Sequence, residues 1–286
     1  MSDTEELAGR DFEQRVTHGY ANNNGVKLHY ATLGEGPLVV FIHGFPDFWY
    51  TWRYQMVALA PYFQTVAFDT RGYNLSDKPE PGENYTLPHL ISDVEAIIRH
   101  FGREKAVIVG HDWGGAISWE FAMSKPELTD KLIILNSIHT RNLRRELTHS
   151  PEQREHSQYA RNFLQEGSYR NLTAERLAAW VTDPEVKARY IEAFERSSFP
   201  ALMSYYQQNF PREPYTEDER PVVKIKAPGL ILYGLNDNFL LPAGQNNIWE
   251  LFEQEVTLVT LPGAGHFVQQ DARDRVSHKM LTWLRD

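Results

Sequence analysis

The chain of 286 residues has no cysteine. Disulfides, thiolate nucleophiles and cysteine-ligated metals are therefore excluded, and a reducing compartment is compatible with the composition. Nor is there an excess of positive charge: 29 Lys and Arg face 38 Asp and Glu, for a formal net charge of -9. An acidic chain without a dense basic cluster is a poor fit to nucleic acid or to an anionic membrane. The arginines of RNLRREL (141–147) read as one solvated helical face. Long apolar runs are missing too. PLVVFI (37–42) and KLIIL (131–135) are strand-sized, whereas a membrane helix needs roughly 18 consecutive apolar residues. The N-terminal MSDTEELAGRDFEQR is acidic and lacks an apolar h-region, so it does not read as a signal peptide. Internal repeats and low-complexity tracts are absent. The expectation is a soluble, cytoplasmic protein with neither nucleic-acid nor membrane partners.

What is present alternates between two textures. Val26, Leu28 and Tyr30 follow a turn signal at Gly25, as in a hairpin. Strand-like runs then recur: PLVVFI, QTVAFD (64–69), AVIVG (106–110), KLIILN (131–136), GLILYG (229–234) and VTLVTL (256–261). Several are apolar on both faces, as central parallel strands require. Helical patterns separate them: YTWRYQMVALAPY, LPHLISDVEAIIRHFG, a segment from Trp113 to about Ser124, PAGQNNIWELFEQ, and a last helix ending in MLTWLRD. In the second of these, Ile91, Val94, Ile98 and Phe101 share one face and Gly102 is placed as the C-terminal cap. This alternation predicts a mostly parallel α/β sheet flanked by helices. From about 138 to 216 the chain is polar, aromatic and helical, with Asp183 and Pro184 as a helix start. We therefore expect an α/β core (1–137 and 217–286) interrupted by an inserted helical lid (138–216).

Chemistry concentrates in three stretches. VGHDWGGA (109–116) follows a buried strand and opens a helix. With serine in place of Asp112 it would be a G-x-S-x-G nucleophile elbow, whose glycines let the backbone turn tightly and expose the residue at the tip. The new helix N-terminus favours an anion there. His266 lies in the Gly-rich PGAGHFVQQD after the last strand, and Asp237 follows the preceding strand in YGLNDNFLLP. Each alone could be an ordinary turn or loop residue. Together, in the order Asp112, Asp237, His266, they read as nucleophile, acid and base. In FIHGFPDFWYTW the backbone N–H of Phe45 can point to the same place as that of Trp113, forming an oxyanion hole, and Pro46 is a candidate for a cis peptide bond. Phe48, Trp49 and Trp52 read as core or pocket wall.

The motifs HGFP, RGYNLSDKP, GHDWGG, YGLNDNFLLP and GHFVQQD resemble those of epoxide hydrolases of the α/β-hydrolase family, a likeness running from about residue 20 to 286. GHDWGG by itself is similar to haloalkane dehalogenases as well. A carboxylate suits displacement at saturated carbon, opening an epoxide or expelling a halide and leaving an ester of Asp112. Water activated by His266 then attacks the aspartate's own carbonyl carbon, with Asp237 orienting the imidazole.

An epoxide oxygen must be protonated as it leaves, and the resemblance implies two lid tyrosines for that task. YARNFLQE implies Tyr159, and FERSSFPALMSYYQQNF implies Tyr206, with Tyr205 as the fallback one register away. On the halide side Trp113 could donate its indole N–H. The family position for an asparagine partner is Phe45, however, and the single lid tryptophan, Trp180, reads as core packing on an amphipathic helix. Haloacetate dehalogenases place an arginine where Trp113 stands. The reading is hydrolysis of epoxides to vicinal diols. Haloalkane dehalogenation is the alternative, and a non-catalytic hydrolase-fold ligand receptor the remote one. Side chains and water suffice, so no cofactor is expected, and the 11 histidines show no paired helical spacing for a metal. Phe163, Tyr169, Phe199 and Phe210 of the lid, with Phe45, Trp113 and Phe267 of the core and Tyr205 beside them, suggest a pocket for a small apolar epoxide. A homodimer is left open.

Overall fold

Gly25 does close a hairpin. Asn24 and Gly25 take φ of 51° and 95°, the left-handed pair that a tight two-residue turn needs, between β1 (Thr17–Asn23) and β2 (Val26–Leu33). The structure, a computed structural model, describes residues 12–286; the acidic stretch before Phe12 lies outside the described residues. Six further strands complete one sheet: β3 (Leu38–Ile42), β4 (Gln64–Phe68), β5 (Ala106–His111), β6 (Thr129–Leu135), β7 (Gly229–Gly234) and β8 (Val256–Leu261). Their spatial order is β1-β2-β4-β3-β5-β6-β7-β8. The two pairs involving β2 are antiparallel and all the others parallel. Every residue of β3, β5 and β7 is buried, which is why those runs are apolar on both faces.

Helices α1 (Arg53–Leu59), α2 (Leu87–His100), α3 (Trp113–Ser124) and α8 (Arg273–Arg285) cover the core sheet, α1 against α8 and α2 against α3. The buried face of α2 is rotated from the expected one. It carries Leu90, Val94, Ile97 and Ile98, while Ile91 is half-buried. The cause is Asp93, drawn inward to a bidentate pair with buried Arg71, both bonds 2.6 Å long. PAGQNNIWELFEQ is not a continuous helix but two short 3-10 turns, Pro242–Gln245 and Ile248–Leu251. Asn247 between them adopts a left-handed φ of 62°, which a helix cannot contain.

All chain from α4 (Thr140–His149) through α5 (Gln158–Phe163) and α6 (Pro184–Glu195) to α7 (Phe199–Asn209) lies between β6 and β7. Asp183 caps α6, its Oδ1 accepting the N–H groups of Glu185 and Val186. The arginines of α4 are not a solvated face. Arg145 donates to the carbonyls of Asn246 and Ala243, and Arg141 to those of Asp218 and Arg220. These irregular segments have carbonyls without strand or helix partners, and charged donors satisfy them. Two buried contacts tie this helical layer to the core. Tyr190 donates its hydroxyl to Asp47 Oδ1 at 2.8 Å, and Gln153 bonds the backbone of Phe239 and Leu241, also at 2.8 Å each. Among the described residues no helix is long and apolar enough to cross a membrane.

Candidate active site

β5 ends at His111 and α3 begins at Trp113, so Asp112 occupies the turn alone, at φ 52° and ψ -119°. Such sharpness needs glycine around it. A Cβ on Gly114 would sit 2.0 Å from the Ile42 carbonyl oxygen, and one on Gly44 would sit 2.4 Å from Asp112 Oδ1. The turn is pinned by Ser137, whose hydroxyl donates to the Asp112 carbonyl at 2.9 Å. The Phe45 N–H donates to Asp112 Oδ1 at 2.7 Å, in a loop whose Phe45–Pro46 bond is cis. Of the two donors expected for an oxyanion hole, Phe45 is the one seen bonded to Asp112. The other carboxylate oxygen, Oδ2, lies 3.5 Å from His266 Nε2.

His266 donates its Nδ1–H to Asp237 Oδ2 at 2.8 Å. That carboxylate is surrounded by donors. Oδ2 also takes Asn136 Nδ2–H at 2.8 Å, and Oδ1 takes the N–H groups of Phe239 (2.8 Å) and Leu240 (3.1 Å). Burial pushes the Asp237 carboxyl up, but the His266 charge and these hydrogen bonds outweigh it and hold it below the usual carboxylate range. For His266 burial alone would favour the neutral ring. The carboxylates of Asp237 and Asp112 reverse this and raise it to about 10. The imidazolium is thereby the favoured form of the ring at neutral pH.

Sequence reasoning missed the groups behind the histidine. His111 Nε2–H donates to the His266 carbonyl at 2.8 Å, and Gln269 Nε2 donates to His111 Nδ1 at 3.2 Å. Burial, first, and the neighbouring His266 charge push His111 down to about 3, so it is neutral and both its nitrogens have fixed roles. Asn136 was also unassigned. Its signal was a polar residue ending the otherwise apolar run KLIILN, where it takes a left-handed φ of 34° and is fully buried.

Tyr159 on α5 and Tyr206 on α7 share with Asp112 and His266 the walls of one cavity of about 370 Å³. Phe45, Pro46, Phe163, Trp180, Phe239 and Phe267 supply much of the rest, with exposed Arg176 contributing at its lining. The rings of Phe45, Trp113, Tyr159 and Phe163 lie 5.1–6.1 Å from that of Tyr206. Burial, reinforced by the charge of Asp112, raises both phenols well above their ordinary value, so each is a neutral donor at pH 7.

Tyr205 does not face this cavity. Its hydroxyl donates to the Arg71 carbonyl at 2.7 Å, and its ring packs on Tyr73 and Tyr85. Adjacent helical residues point about 100° apart, so only one of the tyrosine pair can look inward. Trp180 corrects a second expectation. The helix expected under it is only Ala174–Leu177, and beyond its end Trp180 lies flat on Phe267, with centroids 3.6 Å apart, as part of the cavity wall. Of the other aromatic residues expected at the pocket, Tyr169 lines a separate surface depression, Phe199 packs on the core, and Trp113 and Phe210 border a smaller neighbouring cavity. Phe48, Trp49 and Trp52 are core.

The α/β-hydrolase fold family is matched over residues 37–272. Epoxide hydrolase 1 of Caenorhabditis elegans is 32% identical over 294 residues, covering 93% of this chain and 69% of the relative. Epoxide hydrolase 4 of Homo sapiens is 30% identical, covering 94% and 79%. Among solved structures, an epoxide hydrolase from Bacillus megaterium in complex with an inhibitor superposes with a TM-score of 0.84 at 33% identity, over 94% of this chain and 100% of that one.

Proposed function

The chain belongs to the α/β-hydrolase fold family, among relatives that are epoxide hydrolases, and from that premise we propose that it hydrolyses epoxides to vicinal diols through an ester of Asp112. The observation that carries the reading is that one apolar cavity presents a carboxylate, an imidazole and two neutral phenols together. Asp112 Oδ2 attacks a ring carbon, the carbon–oxygen bond breaks, and Tyr206 or Tyr159 gives its proton to the departing oxygen. The ester's carbonyl oxygen is then Oδ1, already held by the Phe45 N–H.

Ester formation removes one of the two negative charges that keep His266 protonated. The imidazolium now surrenders its proton to restore the tyrosine, and the neutral ring becomes a base. It takes a proton from water as the water oxygen bonds to the aspartyl carbonyl carbon. The resulting oxyanion sits where Phe45, and Trp113 beside it, offer N–H groups. Collapse breaks the carbon–Oδ2 bond, the diol leaves with the proton of the new carboxyl, and Asp112 is again a carboxylate. Asp237 keeps the ring oriented with Nε2 toward the reaction. The helices between residues 138 and 216 act as a lid that supplies the acids, and the core supplies nucleophile and base.

Single-turnover hydrolysis of styrene oxide in H₂¹⁸O tests this. The heavy oxygen should enter Asp112 while the diol carries ordinary oxygen. Label found in the diol of the first turnover would overturn the ester route. The halide reading draws on one observation, a buried Trp180 indole N–H without a partner on the cavity wall. Bromide release from 1-bromobutane without diol formation from styrene oxide would favour it instead.

A further inference from the structure

Asp112 borders two cavities. Besides the 370 Å³ chamber there is one of about 50 Å³, and Asp112, Tyr159 and Tyr206 line both. These three are the groups that open the ring under the proposed function. A ring held between them therefore borders both chambers, one about seven times the volume of the other. Beyond these three residues the small chamber is lined mostly by apolar side chains, Ala116, Ile138, Leu143 and Phe210 among them. Its one further hydroxyl, on Ser137, is committed to the Asp112 carbonyl. A resident water needs two to four polar partners, and beyond the reacting groups only the Trp113 indole could serve. His266 lines the large chamber and not the small one, so the water it activates is not stored there. The small chamber suits a substituent of the substrate. At about 50 Å³ against about 370 Å³, it has room for only a short substituent. Ile138 and Phe210 are buried, while Leu143 on α4 is half-buried.

We propose that the substrates are epoxides of unequal arms: a bulky apolar group on one ring carbon and, on the other, hydrogen, methyl or ethyl. This rests on the epoxide-hydrolase reading of the same site and adds the size rule. The test is a homologous series of trans-2-phenyloxiranes bearing hydrogen, methyl, ethyl, propyl or phenyl on the second carbon, measured as kcat/KM. One methylene without room is worth about 10–200-fold, so the first three should fall within about one order of each other and propyl should drop by about 100-fold. The diphenyl member should be inert. Leu143→Ala should raise the propyl-to-methyl ratio at least about 10-fold, and Leu143→Trp should lower the ethyl-to-hydrogen ratio, with melting curves confirming that each variant is folded. Equal turnover of methyl, propyl and phenyl members by the wild-type enzyme overturns the size rule and leaves the function standing. So does a propyl-to-methyl ratio unmoved in both variants. Failure to turn over any member, the simplest included, overturns both.

Discussion

Asp237→Asn isolates the acid's contribution, because the structure shows what the amide would meet. Oδ1 could still accept from Phe239 and Leu240 as a carbonyl oxygen. The new NH₂, however, would face two donors, Asn136 Nδ2–H and His266 Nδ1–H, each 2.8 Å from the atom replaced. The ring can escape only by shifting its proton to Nε2, leaving Nδ1 to accept. Nε2 is the nitrogen that must take a proton from water, so the base is disabled without being removed. The comparable tautomer error in a serine protease drops kcat by about 10⁴, and a loss of about 10³–10⁴ in ester hydrolysis is expected here. Alkylation depends on Asp112 and the phenols and should slow far less. Rapid mixing with excess styrene oxide, followed by intact-protein mass measurement, should reveal a stoichiometric adduct one substrate mass heavier. A kcat lowered less than about 10-fold with no accumulating adduct would refute the assignment of Asp237 as the histidine's orienting partner.

Tyr159→Phe and Tyr206→Phe should each slow ring opening by about 10²-fold, and the double variant should lose it; pre-steady-state alkylation rates check this, and an unaffected double variant would remove the phenols from the reaction. Gly44→Ala should abolish turnover, since the added methyl lands 2.4 Å from Asp112 Oδ1, with a stability loss visible in denaturant melts. His266 is raised to about 10 in the folded state against about 6.5 unfolded, so its contribution is complete below pH 6.5. Stability should then fall as pH rises from about 6.5 to 10, and Asp237→Asn should flatten that slope in melts across the range.

Much of the scaffold was legible because doubly buried strands announce themselves. Nothing but a central parallel strand asks for PLVVFI or GLILYG between helical patterns. The elbow and the position of Asp237 were legible for the same reason, as each follows such a strand, while His266 follows the half-exposed edge strand β8 and was legible from its Gly-rich loop. What escaped depends on contacts between distant segments. Nothing local to α2 indicates that Arg71 will pull Asp93 inward and turn the helix. Periodicity could not choose between Tyr205 and Tyr206, which differ by one residue on a short helix apolar on several sides. Trp180 looked like core because its local pattern is core-like, and its role follows from Phe267 arriving beneath it. His111 and Gln269 serve by holding other residues still, and a single sequence carries no mark of that, whereas Asn136 left one as the polar end of KLIILN.

The left-handed backbone at Asp112 has a consequence for the whole chain. An aspartate at φ 52° and ψ -119° sits where side chains are resisted, at an expense of about 1–3 kcal/mol that the surrounding contacts must absorb. A glycine there would relax the bend and recover that expense, set against the loss of the Phe45 N–H bond and of the charge beside His266. Selection for heat resistance without selection for turnover would relieve position 112 only where that recovery exceeds those losses.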